Sequence, residues 1–259
     1  MDPHHIIASF ATAAVVGMAA LSAAPLGPSP QLPSAQPPSL RPPAPTSPSR
    51  EPGAHGATDR PACAGVSDCR IVASVDVDGD ARADQVGWRQ LSDRSIQIRV
   101  HTARAAIVTA TVDVRLWWGG GAWGGASSVD GIPGAELLVG SAQGAHTPMY
   151  TMLTYRPDGL RVERSPSPLS PLWLVDGAYG DYIGWRRHHL PDGHVAMTQR
   201  IAFRTEGTNR FKGRDVTYVW SVDHWVRTTT APTSYSTVRS ASGVGGFHVA
   251  GLEAFPGTG

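Results

Sequence analysis

The amino-acid sequence predicts an all-β domain, built from antiparallel hairpins and preceded by an N-terminal extension of different composition. Short runs of β-branched residues alternate between apolar and polar positions. Asp-Gly and Pro-Asp-Gly turn sequences separate these runs, and no long segment carries a helical repeat with capping residues. Of the 259 residues, about 200 remain once the extension is set aside, which is enough for a sandwich, a barrel or a small propeller.

The N-terminal segment, residues 1–24, is predicted to direct export. Ile6–Ala24 contains no charged residue and ends in small residues, the pattern of a signal peptide cleaved between Ala23 and Ala24. Residues 1–5 have no Lys or Arg, so an uncleaved membrane anchor and a buried helix are the alternatives. We therefore expect a secreted or cell-envelope protein, which contacts a membrane only through this segment if it is not cleaved.

Residues 25–61 are predicted to be a disordered, proline-rich tether. Pro, Ser, Ala and Gly dominate this stretch, and it has too few apolar side chains to offset the entropy of ordering it. A proline-rich ligand for a partner domain is the alternative to a plain spacer. Residues 62–259 then form a single β-rich extracytoplasmic domain.

The two cysteines of the chain, Cys63 and Cys69, lie where this domain begins. In an oxidising compartment such a close pair favours a disulfide. Zinc is the alternative, but no second cysteine pair and no well-spaced histidine pair accompany them. A disulfide that closes so short a loop should contribute about 2 kcal/mol and fix the start of the domain.

Six runs of alternating residues are predicted as strands, and turns punctuate them. The strands are Ile71–Val75, Ser95–His101, Ile107–Leu116, Pro148–Tyr155, His194–Phe203 and Asp215–Val222. Pro-Asp-Gly hairpin turns are expected at residues 156–159 and 190–193, and a third turn at 222–224.

Three similar segments of the chain, which we call the internal echo, suggest a repeat. Asp-Gly steps begin at Asp78, Asp130 and Asp176, and each is followed by an acidic residue and then a strand. Intervals of about fifty residues in a strand-rich chain favour propeller-like blades. A β-sandwich built from repeated hairpins is the alternative, and chance recurrence of Asp-Gly turns is a third explanation.

The clearest chemical signal is an acidic loop. Asp76, Asp78, Asp80 and Asp84 stand at positions 1, 3, 5 and 9 of this loop. Calcium is a hard cation that binds several oxygens, and carboxylates at alternate positions of a tight loop can all turn inward.

This spacing resembles the calcium loops of FG-GAP/VCBS-type repeats, found in integrin-like propellers and many exported bacterial proteins. The resemblance covers about a dozen residues firmly and residues 71–186 loosely. It implies a structural calcium ion, the four aspartates as side-chain ligands, and a backbone carbonyl near Arg82 as a further ligand. Domains of this family usually mediate adhesion or ligand binding.

The chain departs from the family pattern at loop position 6, where glycine is usual and Ala81 stands instead, so a positive φ there would be strained. Arg82 also adds a positive charge. The second copy keeps Asp130 and Glu136 but has Ile132 where a ligand is needed, so it is predicted to bind no metal. A hairpin with solvent-facing acids is the alternative for the first loop.

Four further residues are candidates for ligand binding. Trp117, Trp118 and Trp123 lie in a glycine-rich segment, where exposed indoles could stack on sugars or anchor a partner. Packing in the core is the alternative, and it is favoured for most of the eight tryptophans. His146 is a candidate polar contact to a ligand, and no nucleophile can be assigned to it as a catalytic partner.

These observations predict a secreted or cell-envelope binding or structural domain, with calcium as its cofactor and an unidentified cell-surface or cell-wall ligand as its partner. The net charge of +1 argues against a nucleic-acid partner. A carbohydrate- or cell-wall-binding module that uses the Trp-Gly segment is one alternative. An extracytoplasmic hydrolase is another, although neither Gly-x-Ser-x-Gly nor His-Glu-x-x-His occurs, so enzymatic activity is not predicted.

Overall fold

The computed structural model describes residues 61–115, 117, 121–177 and 180–252. The chain divides into two units, residues 1–51 and 52–259, and every described residue belongs to the second. The predicted signal segment, and the predicted tether as far as residue 60, lie outside the described residues. In the described part, no helix is both long and apolar enough to cross a membrane.

Three antiparallel sheets make up most of the described chain, which confirms the all-β prediction. The first sheet contains β1 (Cys69–Val75), β2 (Asp84–Ser92), β3 (Ser95–His101) and β4 (Ile107–Asp113). The second contains β5 (Trp123–Ser127), β6 (Glu136–Gln143), β7 (Pro148–Arg156), β8 (Gly159–Glu163) and β9 (Trp173–Leu174). The third contains β10 (Asp176–Gly177), β11 (Asp181–His189), β12 (Val195–Arg204), β13 (Phe211–Ser221), β14 (His224–Tyr235) and β15 (Gly246–His248).

Each sheet is a meander in which strands pair with their neighbours in sequence. Two short strands depart from this order, because β9 pairs with β7 and β15 pairs in parallel with β11. The short helix α1 (Val238–Ser242) precedes β15, and its N-cap residue Thr237 accepts a hydrogen bond from the Ser240 amide. A 3₁₀ turn (Pro61–Cys63) opens the described chain.

All six predicted strands overlap observed ones, and Ser95–His101 matches β3 residue for residue. The turn at 156–159 joins β7 to β8, with Arg156 paired opposite Gly159. The strand β6 is not among the six alternating runs, although the internal echo places a strand after Glu136. Because both of its faces are buried along most of its length, it lacks the apolar-polar alternation of a half-exposed strand.

The second sheet is the middle layer of the domain. Along β6, Leu137 and Val139 face a core shared with the first sheet, whereas Leu138 faces a core shared with the third. The first core includes Ile96, Ile98, Val100 and Leu153, and the second includes Tyr150, Met152, Trp185 and Met197. The described residues therefore form three layered meanders, one sheet more than a two-sheet sandwich contains.

The three Asp-Gly steps occupy equivalent places, at or beside the connection between the first and second strands of each sheet. We call residues 76–84 the first acidic loop, between β1 and β2, and residues 130–136 the second acidic loop, between β5 and β6. These two loops touch. The Ala135 amide donates to the Asp76 carbonyl at 2.8 Å, and a Cβ on Gly79 would lie only 2.6 Å from the Pro133 carbonyl oxygen.

Cys63 and Cys69 form a disulfide with an S–S distance of 2.01 Å, which confirms the predicted pairing. The bond joins the opening 3₁₀ turn to the first residue of β1. It lies over Gly87 of β2, where a Cβ would stand 3.0 Å from the Cys63 Sγ atom.

Candidate metal sites

The first acidic loop brings together three of its four predicted ligands. One carboxylate oxygen from each of Asp76, Asp78 and Asp84 lies within 4.8 Å of the other two. Asp76 directly follows β1, and Asp84 begins β2. The antiparallel pairing of these strands therefore places the two ends of the loop side by side, and the acidic side chains can hold a metal ion.

Backbone amides of the loop hold two of these carboxylates in place. Asp76 Oδ1 accepts hydrogen bonds from the amides of Gly79 at 2.8 Å and Asp80 at 3.1 Å. Asp84 Oδ2 accepts from the amides of Val77 at 2.8 Å and Asp78 at 3.1 Å. Because these bonds satisfy amides that have no strand partner, the loop geometry is fixed by its own acidic side chains.

Asp78 is the acid whose charge is least well compensated. Its side chain is only 1% exposed, and it forms a long ion pair with Arg104, whose Nε lies 3.8 Å from Oδ2. Among the described residues, Asp78 Oδ2 has no hydrogen-bond partner. Burial, and then the charge of Asp84, raises the pKa of Asp78. A cation bound beside this oxygen would compensate its charge.

Asp80, the fourth predicted ligand, lies outside this group. Its Oδ2 accepts a hydrogen bond from Arg82 Nη2 at 2.7 Å and lies 3.3 Å from Arg104 Nε. The Arg82 hydrogen bond lowers the pKa of Asp80. The positive charge that Arg82 adds to the loop is thus directed at Asp80.

Ala81 has the positive φ that the sequence analysis identified as strained for a residue other than glycine. Its φ is +64°, in the left-handed region that costs a residue with a Cβ atom free energy. The amide of Ala81 donates to Asp76 Oδ2 at 2.8 Å. Closing the loop around Asp76 therefore imposes this strained conformation.

A second cluster of acids lies in the interior. One carboxylate oxygen from each of Asp130, Glu136 and Glu163 lies within 4.8 Å of the other two. The three residues are 4%, 2% and 3% exposed, respectively. Asp130 belongs to the second acidic loop, Glu136 begins β6, and Glu163 ends β8. We call these three residues the interior triad.

The second acidic loop contains a hydrogen bond equivalent to one in the first acidic loop. The amide of Val129 donates to Glu136 Oε2 at 2.6 Å, as the amide of Val77 donates to Asp84. The other Glu136 oxygen accepts from the Thr154 hydroxyl at 3.1 Å. In both loops, the acid that begins the second strand therefore anchors the backbone that precedes the Asp-Gly step.

The interior triad carries more negative charge than its surroundings compensate. Arg156, 19% exposed at its side chain, donates from Nη2 to Asp130 Oδ2 at 2.6 Å. Burial, and then the charge of Asp130, raises the pKa of Glu136 to about 7. Burial and the charge of Glu136 raise the pKa of Glu163 well above its ordinary value.

Two tryptophans hold Glu163. Trp173 donates from Nε1 to the Glu163 carbonyl at 3.0 Å, and Trp225 donates from Nε1 to the Oε1 atom at 3.0 Å. Two surface clefts of about 350 and 540 Å³ include Glu163 in their lining, together with Trp220 and Asp223. Glu163 therefore lies just beneath the surface.

Of the four residues predicted to bind a ligand, the three that the structure describes lie outside both acidic clusters. Trp117 is partly buried against both cores, and its ring centroid lies 5.3 Å from that of Tyr150. Trp123 is also partly buried, against the core of the first and second sheets. His146 is exposed in the turn between β6 and β7, and Trp118 lies outside the described residues. For Trp117, packing accounts for much of the indole surface.

No protein-family model, curated protein or solved structure matches the chain. The resemblance to FG-GAP/VCBS repeats therefore rests on the acidic loop and on the internal echo.

Sequence reasoning missed Glu163, and no signal in β8 marks it. Strand alternation places Glu163 on the same face as Arg161, which is exposed. What buries Glu163 is the hairpin of β13 and β14 in the next sheet, which supplies Trp225. A contact between residues so far apart in sequence leaves no local pattern.

Proposed function

We propose that this chain is a secreted or cell-envelope β domain with a binding or structural role, braced by a calcium ion in the first acidic loop. The observation that carries the proposal is the convergence of Asp76, Asp78 and Asp84. The buried Asp78 oxygen, which has no hydrogen-bond partner among the described residues, gives the cation a specific place to bind.

The donor chemistry favours calcium. All three converging side chains offer carboxylate oxygens, the ligands that a hard cation prefers, and the loop can add backbone carbonyls and water. Because this loop contacts the second acidic loop through Gly79 and Ala135, an ion bound there would brace two neighbouring sheets. Such bracing suits a domain that works as a rigid module.

The disulfide supports a location outside the cytoplasm. A bond such as Cys63–Cys69 persists in oxidising compartments and is rare where glutathione keeps thiols reduced. The apolar segment at residues 6–24 points to the same location. Fractionation of cells that produce the full chain tests this part of the proposal, and recovery solely from the cytoplasm, with free thiols, would contradict it.

Calcium titration of the full chain, followed by calorimetry and by melting temperature, tests the metal. We expect saturable binding that raises the melting temperature, and loss of the loop's equivalent of calcium in Asp78→Asn. The matched control is Asp80→Asn, since Asp80 lies outside the converging group and should leave that equivalent in place. Binding that Asp78→Asn leaves unchanged would overturn the loop as the site.

A carbohydrate- or cell-wall-binding module is the second candidate, and the clefts beside Glu163 favour it. Trp220 and Trp225 line one cleft with their rings 5.3 Å apart, and Arg156 and Arg161 line the neighbouring one. Retention on insoluble cell-wall glycan that Trp220→Ala abolishes would support this candidate. If Trp117→Ala abolishes retention instead, the Trp-Gly segment is favoured as the binding surface. If the unaltered chain is not retained, both proposed binding surfaces are excluded.

A hydrolase has weaker geometric support. Glu163 borders the clefts, but its side chain lies beneath their surface, with Oε1 engaged by Trp225 and Oε2 buried. A general acid must reach the proton acceptor of a substrate within hydrogen-bond distance. In the described conformation the buried carboxyl is better placed to bind an ion than to protonate a substrate.

A further inference from the structure

The interior triad differs from an ordinary acidic cluster in its burial and in its topology. Its three carboxyl groups are supplied by a loop and by the ends of two strands, and all three are withdrawn from solvent. Three carboxylates so close together repel one another, and in a low-dielectric interior water cannot screen this repulsion. Some positive charge, either protons or a cation, must accompany them.

Among the described residues, one cation, Arg156, forms an ion pair with this group of three acids. Arg156 engages Asp130 through the short contact to Oδ2, and its Nη1 atom is committed to the Thr154 hydroxyl at 2.6 Å and the Tyr155 carbonyl at 2.8 Å. One guanidinium cannot neutralise three carboxylates. The remaining charge is centred on Glu136 and Glu163.

An unsatisfied oxygen shows where further positive charge belongs. Glu163 Oε2 is buried and, within the described ranges, has no hydrogen-bond partner, although Oε1 of the same group is bonded to Trp225. Buried carboxylate oxygens without a donor are rare, because the desolvation cost is not recovered. This orphaned atom belongs to a side chain that is 3% exposed and lies within the triad.

The donor set selects the class of ion. The three side chains offer carboxylate oxygens as ligands, and the hydroxyl of Thr154 lies beside them. Soft and borderline metals prefer thiolate or imidazole ligands, whereas calcium, magnesium and manganese prefer oxygen. The clefts that border Glu163 give such an ion a short path from solvent.

We propose that Asp130, Glu136 and Glu163 form a second, interior binding site for a hard divalent cation, independent of the first acidic loop. Asp130 remains paired with Arg156 on one side of the site, and Glu136 and Glu163 supply the charge that the ion neutralises. Any proton that these two carboxyl groups carry leaves to solvent as the ion binds. The bound ion ties the second acidic loop to the end of β8.

Metal titration of the full chain after removal of bound metal tests this site. The probes are calcium and manganese, each added alone and followed by calorimetry. We expect two equivalents of cation in the unaltered chain, one equivalent in Glu163→Gln, and one in the loop variant Asp78→Asn. Glu163→Gln keeps the size of the side chain and an oxygen for Trp225, and Glu136→Gln provides a second variant if the first does not fold.

Terbium luminescence separates the two sites by a different readout. Terbium replaces calcium in oxygen sites and emits when a nearby indole is excited, and Trp225 donates directly to a triad carboxylate at 3.0 Å. Indole-sensitised emission should therefore survive Asp78→Asn and be lost in Glu163→Gln.

The outcomes distinguish this inference from the proposed calcium loop. A single equivalent that Asp78→Asn abolishes and Glu163→Gln leaves intact overturns the interior site and leaves the loop standing. A single equivalent with the reverse pattern supports the interior site and overturns the loop. No uptake of either cation overturns both.

Discussion

The two acidic loops occupy equivalent positions in neighbouring sheets, but they compensate their negative charge differently. The first loop collects its acids within nine residues, and two exposed arginines, Arg82 and Arg104, pair with Asp80 at its rim. The second loop keeps two acids and gains Glu163 from β8. Its counterion Arg156 is largely buried. One backbone arrangement therefore supports both a local site near the surface and an interior site assembled from distant segments.

This difference in burial should set the size of mutational effects. Arg82 and Arg104 are 58% and 60% exposed at their side chains, so water screens their ion pairs with Asp80 and losing one of them costs little. A buried charge that loses its partner keeps its full desolvation cost. Loss of the counterion Arg156 should therefore affect folding more strongly than loss of Arg82 or Arg104.

The largest effect is expected from Arg156→Ala. It leaves the Asp130 carboxylate buried without its counterion, which should lower the free energy of unfolding by about 3 to 5 kcal/mol at neutral pH. Urea unfolding measures this change. The control is Arg161→Ala, which removes the exposed ion pair with Asp158 and should change stability by less than about 1 kcal/mol. Equal losses in both variants would refute the contrast.

An intermediate effect is expected from pH acting on Glu136. Its pKa of about 7 in the folded protein lies above its ordinary value of 4.5, so the folded state binds the proton more tightly than the unfolded state. The resulting stabilisation is fully present below pH 4.5 and is lost as pH rises through about 7. At 1.36 kcal/mol per pKa unit, the loss is about 3 kcal/mol.

Glu136→Gln removes this contribution, because glutamine does not titrate, and it also removes the part of the Glu163 pKa rise that the charge of Glu136 causes. In buffer containing a metal chelator, the variant should gain stability relative to the unaltered chain as pH rises from 4.5 to 7.5, by about the same 3 kcal/mol. Urea unfolding at several pH values measures the difference. A difference that stays constant over this range would show that Glu136 ionises normally in the fold.

The smallest effect is expected in the first loop, from Ala81→Gly. Glycine adopts a φ of +64° without the cost of a Cβ atom, so the variant should be more stable by about 0.5 to 1 kcal/mol. The opposite change in the second loop, at the glycine of its Asp-Gly step, is Gly131→Ala, at a φ of +85°, where a Cβ would lie 2.9 Å from Val195. It should destabilise the protein. Thermal melting compares the two, and effects of the same sign would contradict this account of the backbone.

Much of the fold could be predicted because it is encoded locally. Alternation within five to ten residues predicted strands such as β3, and a Pro-Asp-Gly turn predicted the junction of β7 and β8. Strand β6 could not be recognised by alternation, because coverage by a sheet on either side removes the polar face. The stacking that causes this coverage is a property of the whole domain.

The candidate sites, like the strands, have one part that local sequence predicts and another part that depends on packing between sheets. The sequence by itself determined the spacing of Asp76, Asp78 and Asp84, since a loop between paired strands brings its own acids together. Only the tertiary structure decided that Arg104 engages Asp80 from the β3–β4 turn, and that Glu163 joins the second loop. Burial of Glu163 requires an indole from a strand of another sheet, and such a contact depends on packing between sheets, which no local spacing records.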